Sequence, residues 1–394
     1  MIPITKPLIG EEEVAAAAEA LRSGWVSQGP GVARFEQAFA QYVGASYACA
    51  VSSCTTALHL ALLTVGVQPG DEVITVSHSF IATANSIRYC GAKPVFADIQ
   101  PHTLNLDPGQ IDAVVTERTK AILCVHQVGM PCDLLAISEV AARHGLPVIE
   151  DAACAIGSEI RLGDTWERIG KPHSDIACFS FHPRKVITTG EGGMLTTRNA
   201  EWDQRFRLMR QHCMSVPDTK RHSASEVIFE AYPEVGFNYR MTDIQAAVGC
   251  EQLKRLPAIV AERRNLAARY REILGGVPGL DLPVEPEWAR SNWQSYCVRL
   301  PEGCDQRRVM QSMLDAGVST RRGIMCSHRE ASYPSGTWSC GGGTEACECS
   351  AGRCERLRHS EEAQDHTIIL PLFPGMSVEQ QHQVGEALKS ALRQ

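Results

Sequence analysis

Along the first forty-five residues, apolar positions recur every three to four residues. "EEEVAAAAEALRSG" sets three acids in what would be a first helical turn, runs on through alanine, and meets Gly24 where a left-handed residue ends a helix. "GVARFEQAFAQYVGA" repeats the period, with Phe35, Phe39 and Tyr42 at helical spacing. Both stretches predict helices that pack rather than react. From residue 47 the pattern changes. Short apolar runs, "YACAVSS", "DEVITVS", "KPVFADI", "KAILCVH" and "PVIEDAA", alternate with the amphipathic segments "TTALHLALLTVG", "IATANSIRYCG", "PGQIDAVVT" and "LLAISEVAARHG". A strand that is apolar at every position is buried on both faces, so the alternation predicts an α/β domain with a mostly parallel sheet sandwiched by helices. Ligands of such sheets sit beyond the carboxyl ends of the strands, which makes polar residues just after strands the first candidates for chemistry.

"NYRMTDIQAAVGCEQLKRL" predicts a helix with Thr242 and Gln245 in capping-box register, and "AIVAERRNLAARYREIL" continues it across Pro257. After "GGVPGLDLPVEPEW" the composition shifts, and "NWQSYCVRL", "RRVMQSMLDAGV" and "VEQQHQVGEALKSAL" predict a smaller C-terminal α+β domain. The division expected is a large domain over 1–250 and a small one over 251–394, which suits a chain of 394 residues.

Hydrophobic residues at 44% and charged residues at 21% are an ordinary folded balance. The net charge of -7 provides no basic field for nucleic acid, and the nearest basic cluster is only Arg321-Arg322. The N-terminal residues lack a signal-peptide pattern, and no apolar run approaches the roughly 20 residues of a membrane span. A cytoplasmic protein with neither nucleic-acid nor membrane partners is expected. Of sixteen cysteines, Cys124, Cys178 and Cys250 stand singly in apolar surroundings and read as reduced core residues. "CGGGTEACECSAGRCE" instead crowds Cys340, Cys347, Cys349 and Cys354 into a glycine-rich stretch. Their separations do not match paired C-x₂-C zinc spacing, so the stretch reads first as a surface insertion, with a metal or disulfide role as the alternative.

Four features follow strands directly. In "VSSCTTALHLAL", the first amides of the helix have no partner within it, so Cys54, Thr55 and Thr56 would rim an anion cup, unless a threonine simply caps the helix. "PVIEDAACAIG" ends an apolar strand on two carboxylates; Asp151 is better placed for a site or an N-cap, with Glu150 on the opposite face. "VSHSFIATANSI" sets Phe80 where its ring would lie on a flat ligand or pack in the core. The fourth, "FSFHPRKVITTGEGGMLTT", is not a Walker loop, because its lysine precedes its glycines. Lys185 is either a charge paired with Glu191 or exposed, or a partly buried amine whose pKa burial lowers, making it a nucleophile toward carbonyls. Glycine at 190, 192 or 193 would allow the positive φ of a tight turn, and His182 either faces substrate or packs. An anion cup, a carboxylate that keeps a pyridinium nitrogen protonated, an aromatic face and a buried amine are together the parts that bind pyridoxal phosphate through a Schiff base.

The order of "SSCTTALHL", "SFIATAN", "VIEDAACAIG", "FSFHPRKVITTGEGG", "GFNYRMTDIQAAVG" and "LPLFPGM" resembles the DegT/DnrJ/EryC1/StrS family of sugar aminotransferases, from about residue 3 to the C-terminus. The resemblance implies a fold type I aminotransferase using pyridoxal 5'-phosphate, and a homodimer whose active sites draw on both chains. It implies Lys185 as the Schiff-base residue and Asp151 as the partner of the pyridine nitrogen. It further implies Thr55, the Cys54 amide and the Ser180 hydroxyl on the phosphate, Asn238 on the phosphate of the neighbouring subunit, and Phe80 stacked on the cofactor. Trp25 and Gln28 in "SGWVSQGP" and His328 in "CSHREASY" fall in regions that line the family's sugar pocket. Three departures stand out: Cys54 replaces a small residue, often glycine; Cys154 replaces a histidine or glutamine; and residues 334–354 read as an insertion near the substrate entrance.

The activity so implied moves an amino group from an amino acid, as in the family L-glutamate, to a ketosugar, with a nucleotide-linked keto-deoxysugar expected. Arg240 or Arg184 would meet the nucleotide's phosphates. A ketocyclitol acceptor and a cofactor-bound regulatory protein without turnover are the alternatives. A dehydratase of the same fold would carry histidine where Lys185 stands.

Overall fold

In the computed structural model, which describes residues 1–216, 225–341 and 352–393, the acid-led alanine run folds as α1 (Glu11–Arg22), and Gly24 follows it with φ +80°. The next periodic segment forms α2 (Pro30–Val43), closed by left-handed Gly44. Phe35 and Phe39 of α2 are buried, and the Phe39 ring meets that of Phe179 edge-on at 5.0 Å.

The apolar runs become β1 (Tyr47–Val51), β2 (Glu72–Val76), β3 (Lys93–Ala97), β4 (Thr119–Val125) and β5 (Val148–Asp151). Between them lie α3 (Cys54–Thr64), α4 (Ala82–Tyr89) and α5 (Leu134–His144). "PGQIDAVVT" is instead two single 3₁₀ turns, because the Asp107 carboxylate accepts from Gly109 N–H and tightens the chain locally. A hairpin of β6 (Glu159–Leu162) and β7 (Thr165–Arg168) precedes β8 (Ile176–Ser180), β9 (Gly193–Thr197) and α6 (Ala200–Met209). The large sheet runs β1-β9-β8-β5-β4-β2-β3. Its neighbours from β3 to β8 are parallel, whereas β9 is antiparallel to both β8 and β1. Strands β2, β5, β8 and β9 are buried at every residue, as their apolar runs require.

Thr242 and Gln245 form the expected capping box of α7 (Asp243–Leu274), a helix of 32 residues that holds Pro257 within it. The C-terminal part contains β10 (Ala289–Arg290), β11 (Tyr296–Arg299), α8 (Gln306–Asp315), β12 (Arg321–Arg322), α9 (Arg358–His366), β13 (Thr367–Leu370) and α10 (Val378–Leu392). Its sheet runs β11-β13-β12, and β10 joins the β6–β7 hairpin. One core gathers around Phe35, Ile74, Ile122 and Phe179; a second gathers around Leu266, Tyr270, Tyr296 and Leu388 and includes Ile2. The chain's first residues thus pack against its last elements, with Ile2 N–H donating to Gly317 O at 2.8 Å. Among the described residues, no helix is long and apolar enough to cross a membrane.

A buried ion cluster ties the sheet's edge to its helices. Glu36 accepts from Arg207 Nη1 at 2.6 Å, from Arg210 Nη1, and from Ala50 N–H of β1 at 2.9 Å. Burial works against the charged carboxylate, but the two guanidiniums outweigh it and hold Glu36 below its ordinary pKa.

Candidate active site

The carboxyl ends of β1, β2, β4, β5 and β8 open on one cavity of about 450 Å³. Cys54, Thr55, Phe80, Asp151, Ser180, His182 and Lys185, each a candidate from the sequence, all line it.

The cup follows from how α3 begins. Ser53 Oγ accepts from Thr56 N–H at 3.2 Å, and Thr56 Oγ1 accepts from Ser53 N–H at 3.1 Å. Thr56, one of the expected rim residues, is therefore spent on the cap. Cys54 and Thr55 hold the first two helical positions, where amides have no acceptor within the helix. Cys54 Sγ turns into the sheet, 3.5 Å from Cys178 O and 3.9 Å from Asp151 Oδ1, which leaves its amide open to the cavity. Burial, and then Asp151, push this thiol well above its ordinary pKa. Gly193 lies against the same turn: a Cβ there would stand 2.7 Å from Cys54 N and closer still to the Ser53 carbonyl. Of the three turn glycines, only Gly190 has positive φ, +82°. Gly192 and Gly193 are needed for lack of a side chain, since a Cβ at 192 would meet Met241 Cε at 2.6 Å.

Asp151 closes β5 at 6% exposure. Its Oδ2 accepts from Thr83 Oγ1 at 2.7 Å and its Oδ1 from Ala153 N–H at 3.2 Å, so it caps the local turn and faces the cavity at once. Among the described residues it has no ion-pair partner, which makes it a buried carboxylate placed for a cation from outside the chain. Glu150 points to the opposite face, as pleating requires, and is consumed there by His126 Nε2 at 2.9 Å and the Ser174 hydroxyl. Burial disfavours a charged His126, but Cys132 and Glu150 prevail and raise its pKa to about 10. Thr83 had no distinguishing mark in the sequence beyond lying on the helix after Phe80. Phe80 itself is 60% exposed at the cavity rather than packed in the core.

Lys185 lies in the turn after β8, its N–H bonded to His182 O at 2.8 Å, and its Nζ donates to Cys154 Sγ at 3.1 Å. The sequence predicts that burial lowers its pKa; here it is raised. Burial does favour the neutral amine, but Cys154, Asp151 and Cys54 together outweigh it. Ser180 ends β8, buried beside the cavity, and His182 is half-buried with its pKa lowered by burial.

Five candidates lie outside this cavity. His328 is buried, 2.6 Å from Ser77 Oγ through Nδ1 and 2.9 Å from Glu361 Oε1 through Nε2, so both ring nitrogens are committed. Trp25, Gln28 and Arg240 are half-buried and do not line it. Asn238 is exposed, bridged to Gln211 through the backbone. In their place, Arg321 and Arg322 of β12 join Arg184 on the cavity wall. Burial and then repulsion from Arg184 and Arg322 depress the pKa of Arg321, while Arg322 also pairs with Glu330 Oε1 at 3.2 Å. The sequence shows the arginine pair but not that the second sheet carries it to the first sheet's carboxyl edge. Cys347 and Cys349 fall outside the described residues.

A family model described as the DegT/DnrJ/EryC1/StrS aminotransferase family matches residues 7–389. The chain is 38% identical over 397 aligned residues to the spore coat polysaccharide biosynthesis protein SpsC of Bacillus subtilis (strain 168), covering 100% of this chain and 97% of that protein. The aminotransferase TlmJ from Streptoalloteichus hindustanus superposes with a TM-score of 0.87 at 32% identity, over 100% of this chain and 99% of the other. DesI, solved in the presence of its TDP-sugar product, superposes at 0.85 with 29% identity, over 100% and 93%. The architecture is that of fold type I.

Proposed function

The chain belongs to the DegT/DnrJ/EryC1/StrS aminotransferase family, and we propose that this pyridoxal-phosphate-dependent aminotransferase moves an amino group from L-glutamate to a nucleotide-linked keto-deoxysugar. One observation carries the reading: the cavity joins the Lys185 amine and the Asp151 carboxylate, which has no ion-pair partner among the described residues, to a wall that includes Arg184, Arg321 and Arg322.

The residues fit the cofactor. Lys185 would hold it covalently through Nζ, and Asp151 would keep its ring nitrogen protonated. The amides of Cys54 and Thr55, with the Thr55 and Ser180 hydroxyls, would hold its phosphate, because a helix start with open amides favours an anion. Phe80, exposed at the cavity, would cover the ring. What the cofactor supplies when bound is an electron sink for the carbon that loses its proton. Thr83 and Ala153 hold the Asp151 carboxylate in one orientation through their hydrogen bonds. Lys185 Nζ then takes the donor's Cα proton as base and returns a proton to the acceptor carbon as acid, while Cys154 keeps the amine beside Asp151 between those steps.

Arg184, Arg321 and Arg322 support an anionic acceptor. A nucleotide's phosphates and a donor's carboxylate relieve their repulsion, whereas an uncharged ketocyclitol does not. The structural relative DesI was solved in the presence of its TDP-sugar product, which supports a nucleotide-linked sugar here. Asn238, exposed and not among the residues lining its own chain's cavity, would complete the phosphate site of a second copy in a homodimer.

The test begins with the enzyme in its amino-loaded form, mixed with nucleotide-linked ketosugars and, separately, with ketocyclitols. Return of the visible cofactor band with the nucleotide sugars alone is expected, and Arg321→Ala should raise KM for them on the order of tenfold with kcat little changed, about 1.4 kcal/mol of binding. Reaction with ketocyclitols and none with nucleotide sugars would reject the acceptor class.

A further inference from the structure

Besides the catalytic cavity, a second cavity of about 540 Å³ lies between the loop after β3 and the segment that leads into β11. Much of its lining is apolar, with Met130, Leu280 and Trp293 beside Leu104 and Val128. Five non-glycine residues among those described have positive φ, and three of them are on this lining: Leu104 at +62°, Val128 at +51° and Trp293 at +53°. A β-branched residue at positive φ is costly, and such strain gathers where a fold is committed to a ligand clamp. Here it is held by side chains that do not line the catalytic cavity. Asn105 Oδ1 accepts from Gln127 N–H at 2.8 Å, Asn105 Nδ2 donates to Met130 O at 3.0 Å, and Ser291 Oγ accepts from Trp293 N–H at 2.9 Å.

Only two side chains of fixed charge line it, and the chain neutralises neither. Arg299, half-buried at the end of β11, makes no ion pair among the described residues; its Nη2 donates to Pro101 O at 3.4 Å, and the nearby Glu362 is taken by Arg358 at 2.7 Å. Asp281, exposed, lies directly opposite. The two backbones exchange N–H to carbonyl bonds at 3.0 Å each, yet no ion pair joins the side chains. Opposed residues put their side chains on one face, about 5 Å apart at Cβ. A cation and an anion are thus held a strand apart beside an apolar wall. Of the other titratable groups on the lining, His102 is exposed, and Cys297 adds no charge, because burial pushes its thiol up to about 11.

We propose that this cavity binds a free α-amino acid with an apolar side chain, its carboxylate on Arg299, its ammonium on Asp281 and its side chain against Met130, Leu280 and Trp293. An anion alone would face Asp281, and a cation alone would face Arg299, whereas a zwitterion satisfies both charges. The volume lies within the range of small-molecule sites. This site is distinct from that of the amino donor but shares a wall with it: Val128 and Ser295 line both cavities, and Ser295 N–H donates to Val128 O at 3.2 Å. In the same segment, Gln294 Nε2 donates to Arg184 O at 2.7 Å and Asn292 Nδ2 to Cys154 O at 2.8 Å. A ligand against Trp293 and Val128 therefore bears on the backbone that carries Arg184 and Cys154 into the catalytic cavity.

Titration calorimetry on the holoenzyme, after borohydride has fixed the cofactor so that no amino acid is transaminated, should show about one L-leucine bound per chain. Isocaproate, which lacks the ammonium, and isoamylamine, which lacks the carboxylate, should each bind at least about tenfold more weakly. Arg299→Gln and Asp281→Asn should each weaken L-leucine at least about tenfold and leave the visible cofactor band of the unreduced enzyme unchanged, since neither residue lines the catalytic cavity. In hydrogen exchange, L-leucine should protect the segments 101–104, 126–129 and 291–295. Three results would each overturn the proposal: no L-leucine binding to the wild-type protein, isocaproate or isoamylamine binding as tightly as L-leucine, or L-leucine binding that survives both substitutions. Should a variant not fold, the comparison of the three probes on the wild-type protein decides, together with the location of the exchange protection. The outcome is independent of which acceptor the enzyme aminates.

Discussion

At Lys185, burial and neighbouring charge pull in opposite directions. Burial favours the neutral amine, while Cys154, Asp151 and Cys54 favour the ammonium and prevail, so the resting side chain is charged and a proton must leave before it reacts with a carbonyl. Cys154→Ala removes the nearest of these partners and should lower the pKa of the amine. In cofactor-free protein, the pH at which pyridoxal phosphate begins to bind rapidly should therefore fall in the variant; an unchanged profile would show that Cys154 does not tune the lysine. Lys185→Arg keeps the charge but cannot carry the proton, and should cost on the order of 10²–10⁴ in kcat. The lysine's identity was legible in its own segment, but its protonation was not, because Cys154 lies 31 residues away and only the fold brings the two together. His328 shows the same limit: nothing local distinguishes a substrate-facing histidine from one spent on Ser77 and Glu361.

Among the elements, the strands of the large sheet were the most legible, because a strand buried on both faces must be apolar throughout. The antiparallel course of β9 was not, since "MLTT" carries no direction of its own. The contact of β9 with the start of α3 is what shapes the anion cup. Gly193→Ala should push them apart, costing about 1–3 kcal/mol of stability and weakening cofactor binding, both read by thermal melts with and without pyridoxal phosphate. If stability drops while cofactor affinity holds, the cup does not depend on that approach. The Glu36 cluster joins α2, β1 and α6, and makes a prediction with a definite sign. Its carboxyl lies below the ordinary value of 4.5 in the folded chain, so its stabilisation is present above that value and is lost as pH falls through the folded value. Glu36→Gln should cost about 3–5 kcal/mol near neutrality, because it leaves buried guanidiniums uncompensated. Denaturant titrations from about pH 5 to pH 3 should be flatter for the variant than for wild type.

Over the whole molecule, the cavity is built by two sheets that meet. The large sheet brings the cup, Asp151 and Lys185; the small one brings Arg321 and Arg322, residues whose sequence position says nothing of where they arrive. Asn238 extends the question beyond one chain. If a second copy supplies it, Lys185→Ala and Asn238→Ala proteins, each inactive alone, should regain about a quarter of wild-type activity after mixing and exchange, because half the dimers are hybrids with one intact site. No recovery despite exchange would place the whole site within one chain. The central claim, that Lys185 carries the cofactor, has a more direct test. Borohydride reduction of the purified protein followed by peptide mapping should find the pyridoxyl group on Lys185 in "FSFHPRKVITTGEGG". A pyridoxyl group on another lysine, or none on a protein that shows the visible cofactor band, would contradict it.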